Sequence, residues 1–399
     1  MTITKPYTNF ISIPIIKNSI GEIFTDPLWA KDIKLHLEYI NCFNLCCPMV
    51  HHNETGQLEN ITHYKINEII PLRKDEGLFS IVKNIIPNFL SVIKACKKSD
   101  IVHSSGAGWA FPLSFYILFL RPFIKFQWVI VIESSFWLLG KNDRLSIRKI
   151  FVHITHKYLL TLCVKSADAR IFTQSFYRAL FLGNETNNTM INPASWVNQE
   201  NLQSVENFNF LNNNKGNKTL EFIFPTRLIE EKGVNLLLNA IRLLKNMGIV
   251  GNITIIGDGP LKSQVIDFIS KDYGGIKVVY LEPVEYGTQF FKLLQHYDIV
   301  LVPNLKEEQP RIIFDAFSQG VGVIASDTSG IMDIVEPNIN AFIFKAGDAD
   351  ALAAAMAKAI NNPALVTKLG LAGLSYANGK THAQMHQDRL DFLQSTLKL

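Results

Sequence analysis

Very little in this sequence points to secretion, disulfide bonding or metal binding. Its five cysteines, Cys42, Cys46, Cys47, Cys96 and Cys163, are odd in number and share no repeating spacing, and no Cys-x-x-Cys pair occurs. That argues against a disulfide framework and against a zinc site built on cysteine pairs. Cys42, Cys46 and Cys47 stand in an apolar run that reads as a buried strand. The N-terminus lacks a basic start followed by an apolar core, so no export signal is expected and a reducing cytoplasm is the expected compartment. Net charge is small: 39 Lys+Arg against 35 Asp+Glu leave +4 over 399 residues. No dense basic stripe with interleaved aromatics occurs, so nucleic acid is not an expected partner.

Long apolar runs are scarce as well. The nearest to a membrane span is Leu113–Ile132, which Arg121, Pro122 and Lys125 interrupt. Its unbroken part, Leu113–Leu120, is too short to cross a bilayer. It reads as a buried helix, a breaker, then a strand at Trp128–Ile132, with a peripheral membrane contact by this segment and its basic neighbours as the alternative. Positive charge is concentrated in residues 1–200, with 21 Lys+Arg against 15 Asp+Glu, while residues 201–399 hold 18 against 20. A mildly basic half suits an anionic ligand or an anionic membrane surface.

What is present is material for two α/β cores: 48% of residues are apolar and 19% charged. From Leu220 onward short apolar runs recur at Leu220–Pro225, Asn252–Gly257, Lys277–Leu281, Asp298–Pro303, Val321–Ser326 and Ala341–Phe344. Segments of helical spacing separate them, as where Val234, Leu237, Leu238, Ile241 and Leu244 fall on one face. Strands alternating with helices predict a parallel sheet covered on both sides. The first half repeats the rhythm at Phe43–Pro48, Ile66–Leu72, Asp100–His103, Trp128–Ile132, Ala169–Thr173 and Thr189–Asn192. The polar stretch Asn198–Lys218 reads as a linker. Two Rossmann-like domains follow, residues 1–200 and 201–381, with a last helix at about 382–399 that packs back on the first. Ligands of such sheets bind outside the strand C-terminal ends, at a cleft shared by the two domains.

Three motifs of the second half sit at strand ends. Pro225-Thr226-Arg227-Leu228-Ile229-Glu230-Glu231-Lys232-Gly233 offers two cations suited to a diphosphate, Arg227 as a planar fork and Lys232 as a point charge. The plain alternative is a solvated loop with two surface cations. Gly257-Asp258-Gly259-Pro260 lets backbone N–H groups approach a ligand, or merely makes a tight turn. Lys262 breaks any Gly-x-Gly-x-x-Gly pattern, which disfavours a nicotinamide cofactor. The third motif runs from Glu307 to Gly320. Pro310 is a natural first helical residue, and the N–H groups around Pro310, Arg311 and Ile312 are candidates for phosphate oxygens. Glu307 and Asp315 are candidate acceptors from sugar and ribose hydroxyls, or else ordinary acidic caps.

Arg-Leu-x-x-x-Lys-Gly, Gly-Asp-Gly-Pro, and two acidic residues eight apart followed by Ala-x-x-x-Gly together resemble the retaining glycosyltransferases of family 4, with the GT-B fold. The resemblance is strong over about Phe222–Phe344. It implies that Arg227 and Lys232 grip the diphosphate of a nucleotide-sugar donor, that Glu307 binds the donor sugar, and that Asp315 holds the ribose. It also implies metal-free electrostatic support of the leaving group, and a glycan or lipid-linked acceptor in cell-surface polysaccharide synthesis. This chain departs from the pattern in four places. Asp315 replaces the usual Glu, and Glu308-Gln309 replace Gly-Phe. Gly320-Val321-Gly322-Val323 replaces Gly-x-Pro-Val, and Glu133 stands where relatives often carry a His. Of the family's N-terminal Gly-Gly loop only Gly21 is a candidate, and His103, at a strand end, faces the cleft or the core. A sugar-nucleotide epimerase and a non-catalytic sugar-nucleotide-binding or membrane-scaffold subunit are the competing readings.

Overall fold

The protein is described by a computed structural model covering residues 2–52, 56–75, 77–106, 111–139, 146–215, 219–397 and 399. It divides into two compact units, Met1–Asn192 with His386–Leu399, and Pro193–Met385.

The first unit runs β1 (Tyr7–Phe10), β2 (Ile15–Lys17), β3 (Ile23–Thr25), α1 (Pro27–Tyr39), β4 (Phe43–His51), β5 (Glu59–Asn60), β6 (Glu68–Leu72), α2 (Leu78–Lys97), β7 (Ile101–Ser105), α3 (Leu113–Leu120), β8 (Gln127–Ile132), α4 (Ile147–Ser166), β9 (Ala169–Phe172), α5 (Ser175–Leu182) and β10 (Thr189–Ile191). Strands β10-β9-β8-β7-β1-β4-β6 form a parallel sheet. A small ribbon of β2, β3 and β5 extends β4. Alternation along β8 sends Trp128 and Ile130 to the face covered by α2–α5, and Val129 and Val131 to the face shared with α1.

The second unit runs α6 (Val205–Lys215), β11 (Glu221–Pro225), α7 (Val234–Asn246), β12 (Gly251–Ile256), α8 (Lys262–Ile269), β13 (Ile276–Leu281), α9 (Thr288–Leu294), β14 (Ile299–Val302), α10 (Ile312–Ser318), β15 (Gly322–Ser326), α11 (Ser329–Met332), β16 (Ala341–Phe344), α12 (Ala349–Ile360) and α13 (Pro363–Asn378). Its strands pair in the order β13-β12-β11-β14-β15-β16, all parallel. The order reverses between β11 and β14, and loops leaving those two strands frame the crevice where such sheets bind ligands. The first residues of helix α14 (His382–Leu397) belong to the second unit and the rest to the first, where Leu390, Leu393 and Leu397 join the core that holds Val129.

Two expectations change. The stretch Asn198–Lys218 is not a linker over its described part. It contains α6, whose Phe208 is 3% exposed and fills the space over Gly320 and Gly370, where an added Cβ would meet its ring at 2.4 and 3.4 Å. Residues 216–218 lie outside the described residues. The boundaries between units fall at Asn192–Pro193 and Met385–His386 rather than at 200 and 381. Leu113–Ile132, by contrast, is the buried helix, breaker and strand that its sequence predicts: Phe115, Ile117 and Leu120 of α3 and Trp128–Ile132 of β8 are all buried. That segment offers a membrane little more than Phe119 and Phe123.

Candidate functional site

The β11–α7 loop is held by backbone fit. Leu228 is buried, its N–H donates to the Asp258 carbonyl at 2.8 Å, and its own carbonyl accepts from Leu261 N at 3.0 Å. Gly257 and Gly259 exist for this contact. With φ of 149° and 150°, each would bring an added Cβ to 1.7 Å from the Thr226 carbonyl oxygen or 2.6 Å from that of Leu228. Both glycines therefore pack against the loop that carries Arg227 and set its path. Glu230–Lys232 form one 3-10 turn, and Gly233 closes it in the left-handed region at φ 78°. A Cβ at Gly233 would lie 1.9 Å from the Pro303 carbonyl oxygen, so only glycine lets Lys232 come this close to the end of β14.

That approach forms the polar centre of the site. Lys232 Nζ donates to Glu308 Oε1 at 2.5 Å, and Asn304 Nδ2 donates to the same oxygen at 2.9 Å. The side chains of Lys232 and Glu308 are 14% and 33% exposed, so the pair is sheltered yet reachable. Arg227, on the same loop, is exposed, and its guanidinium has no partner among the described residues. One cation is thus uncommitted and the other is held by a carboxylate, both in the loop after β11 at the switch point.

The β14–α10 loop spends its side chains differently from the sequence expectation. Glu307 Oε2 accepts from the backbone N–H of Ser329, the first residue of α11, at 2.8 Å and from the Ser329 hydroxyl. Thr328, beside it, has a buried hydroxyl without a partner among the described residues. Gln309 makes a two-way amide contact with Ala194, donating to its carbonyl at 2.9 Å and accepting from its N–H at 2.7 Å. Pro310 is buried, and α10 starts at Ile312 with Arg311 as its cap residue. The Arg311 guanidinium lies 5.4 Å from the centroid of the Trp196 ring. Asp315 is only 5% exposed and accepts from the Tyr286 hydroxyl at 2.8 Å. Burial, and then the Asp315 charge, push the Tyr286 pKa up, so Tyr286 remains a donor.

Lys232, Glu308 and Asn304 therefore form one hydrogen-bonded cluster, Glu307 and Ser329 a second, and Asp315 and Tyr286 a third. All lie on loops or helix starts that follow strand C-terminal ends. Tyr286, Asn304 and Ser329 were not identified from the sequence. Only their positions just after β13, β14 and β15 mark them, because nothing local tells a Tyr or Asn in a loop from any other.

The first unit's candidates fare less well. Gly21, at φ 91°, forms the tip of the β2–β3 hairpin, where Asn18 and Glu22 close the turn. Nothing lies within 4 Å of where its Cβ would be. Glu133 follows β8 and is exposed. His103 lies inside β7, buried, and Tyr7 OH is 2.8 Å from its Nδ1. Burial above all holds its pKa well below the ordinary range, so it is a neutral core residue. Around it, Asp32 contacts His36 Nδ1 at 3.2 Å and His386 Nε2 at 3.0 Å, while His386 Nδ1 meets Tyr39 OH at 3.1 Å. Asp32, His36 and His386 form the one group of described residues with metal-ligand proximity. Their atoms already satisfy one another, and the cluster pins α14 to α1.

Residues 205–374 match the family model described as Glycosyl transferases group 1. Over 190 residues the chain is 30% identical to the amylovoran biosynthesis glycosyltransferase AmsK of Erwinia amylovora, covering 46% of this chain and 45% of that one. It thus spans about half the length of that relative. Over 343 residues it is 21% identical to the capsular polysaccharide biosynthesis glycosyltransferase CapM of Staphylococcus aureus, covering 83% and 85%. HepE of Anabaena, solved in complex with UDP, matches with a TM-score of 0.66 at 14% identity over 99% of this chain and 100% of that one. The architecture is accordingly GT-B, two Rossmann-like units each built on a parallel sheet.

Proposed function

We propose that the protein is a retaining glycosyltransferase. It moves a sugar from a nucleoside-diphosphate sugar to a glycan or lipid-linked acceptor during cell-surface polysaccharide synthesis, in the cytoplasm. The observation that carries this reading lies at the switch point: Lys232, in the loop after β11, is held by Glu308 of the loop after β14, and Arg227 of that same β11 loop is exposed and has no partner among the described residues. A diphosphate arriving there is gripped by Arg227 and draws Lys232 away from Glu308. As the bond from the anomeric carbon to the phosphate oxygen breaks, negative charge grows on the departing nucleotide, and the two cations stabilise it without a metal. The acceptor oxygen bonds to the anomeric carbon on the same face, and its proton passes to a phosphate oxygen of the leaving group. Glu307 and Ser329 border the donor sugar, and Asp315 with Tyr286 borders the ribose. The names of AmsK and CapM support the polysaccharide setting, and UDP in HepE supports a nucleotide-diphosphate donor.

The test is a screen of UDP-, GDP- and ADP-sugars for nucleotide release, with and without chelator, followed by NMR of the anomeric configuration in the product. Retention with chelator-insensitive turnover is expected. An isomerised nucleotide sugar instead of transfer marks an epimerase, and absence of both turnover and nucleotide binding sinks the proposal.

A further inference from the structure

Helices α2, α3, α4 and α5 pack side by side in that order on one face of the first sheet. Their inner sides are core: Val92 and Ala95 of α2, and Leu160 and Val164 of α4, are buried. Their outer sides are unusually apolar. Along α2, Phe79, Val82 and Ile86 are 84%, 73% and 69% exposed, spaced three and four residues apart on one stripe. Along α4, Ile147, Phe151 and Ile154 repeat this at 90%, 68% and 60%. Isolated exposed apolar residues are ordinary, but aligned stripes on two helices of one layer mark an interaction surface.

Charge narrows the choice of partner. The four helices contain eight Lys and Arg residues (among them Lys83, Lys149 and Lys157, all exposed) and no Asp or Glu. Pairing this face with a second copy opposes cation with cation, whereas an anionic lipid surface meets both the positive charge and the apolar stripes. The stretch Phe79–Lys97 is long and apolar enough to cross a bilayer, with mean hydropathy 1.2. It is nevertheless the crossover from β6 to β7, with one side committed to the sheet, so it is not a membrane span.

We infer that the outer face of the α2–α4 layer is a docking surface for an anionic phospholipid bilayer. The inference is independent of the sugar-transfer reading, and its test reads binding, not turnover. The purified chain is sedimented with vesicles of phosphatidylcholine, or of phosphatidylcholine mixed with phosphatidylglycerol, at low and high salt. Two variants accompany it, Phe151→Glu with Ile154→Glu, and Lys149→Glu with Lys157→Glu. Because all four side chains are exposed, each variant is expected to keep the parent's melting temperature. Binding to the anionic vesicles alone, weakened by salt and reduced at least about tenfold by either pair, is expected. The inference is overturned if the parent fails to bind anionic vesicles at low salt, or if both variants bind as it does. It is equally overturned if the parent is a dimer that Phe151→Glu with Ile154→Glu converts to a monomer, because the face is then covered by a second copy.

Discussion

The contact between Lys232 and Glu308 makes the most informative single substitution Glu308→Gln. The change keeps the shape and an acceptor oxygen for Asn304 and Lys232 but removes the negative charge 2.5 Å from the ammonium. In the proposed donor complex that charge does two unfavourable things: it competes for Lys232 and it repels the incoming phosphates. Unit charges about 4 Å apart interact by ~4 kcal/mol at an effective dielectric of 20. Exposed pairs net only ~0–1 kcal/mol after solvation and side-chain ordering. With Lys232 14% and Glu308 33% exposed, the pair falls between these limits. About 1 kcal/mol is then released to the ligand, which corresponds to roughly fivefold tighter binding. Isothermal titration of nucleoside diphosphates into parent and variant measures this directly. An unchanged or weaker affinity in Glu308→Gln refutes the idea that the carboxylate occupies the anion's place on Lys232.

Other consequences follow from the same geometry. Gly233→Ala places a methyl group against the Pro303 carbonyl in a left-handed conformation, so a loss of about 2–3 kcal/mol is expected in urea unfolding, together with weaker nucleotide binding as Lys232 shifts. Phe208→Ala empties the space over Gly320 and Gly370 and should cost about 3–5 kcal/mol if α6 is part of the second unit, whereas a true linker would lose almost nothing. Acid should destabilise the first unit. Burial lowers the folded pKa of His103, His156 and His386, the last to about 3, below the unfolded value near 6.5. The unfolded chain therefore binds more protons, so stability is full above pH 6.5 and falls as pH drops from there towards 3. Melting temperatures across that range check the sign, and a flat profile contradicts it.

Much of the second unit was legible because each of its strands is a short apolar run ended by a turn, and all six lie within one residue of expectation. The first unit's central strand β1 was not. Its Thr8 and Asn9 break the apolar pattern, and Thr8 is buried only because Ser99 and Asn44 hydrogen-bond to it at 2.6 and 3.3 Å. Those partners lie far away in sequence. The same cause hid α6, whose one buried aromatic meets glycines more than a hundred residues later. At the site, motif order correctly located the loops but not their internal contacts. Glycines at 257 and 259 proved to serve the Arg227 loop rather than a bare turn, and Glu307, Gln309 and Asp315 each engage a neighbouring loop or segment.

The account stands or falls on whether the loop after β11 binds a diphosphate. Titration of the diphosphate, the monophosphate and the free nucleoside of the base that the donor screen selects into the parent, Arg227→Ala and Lys232→Ala measures this with no assumption about acceptor or sugar. The expected result is binding that strengthens from nucleoside to monophosphate to diphosphate, with the diphosphate advantage lost by about tenfold or more in either variant. Equal affinity of parent and both variants for that diphosphate, at unchanged melting temperature, would contradict it.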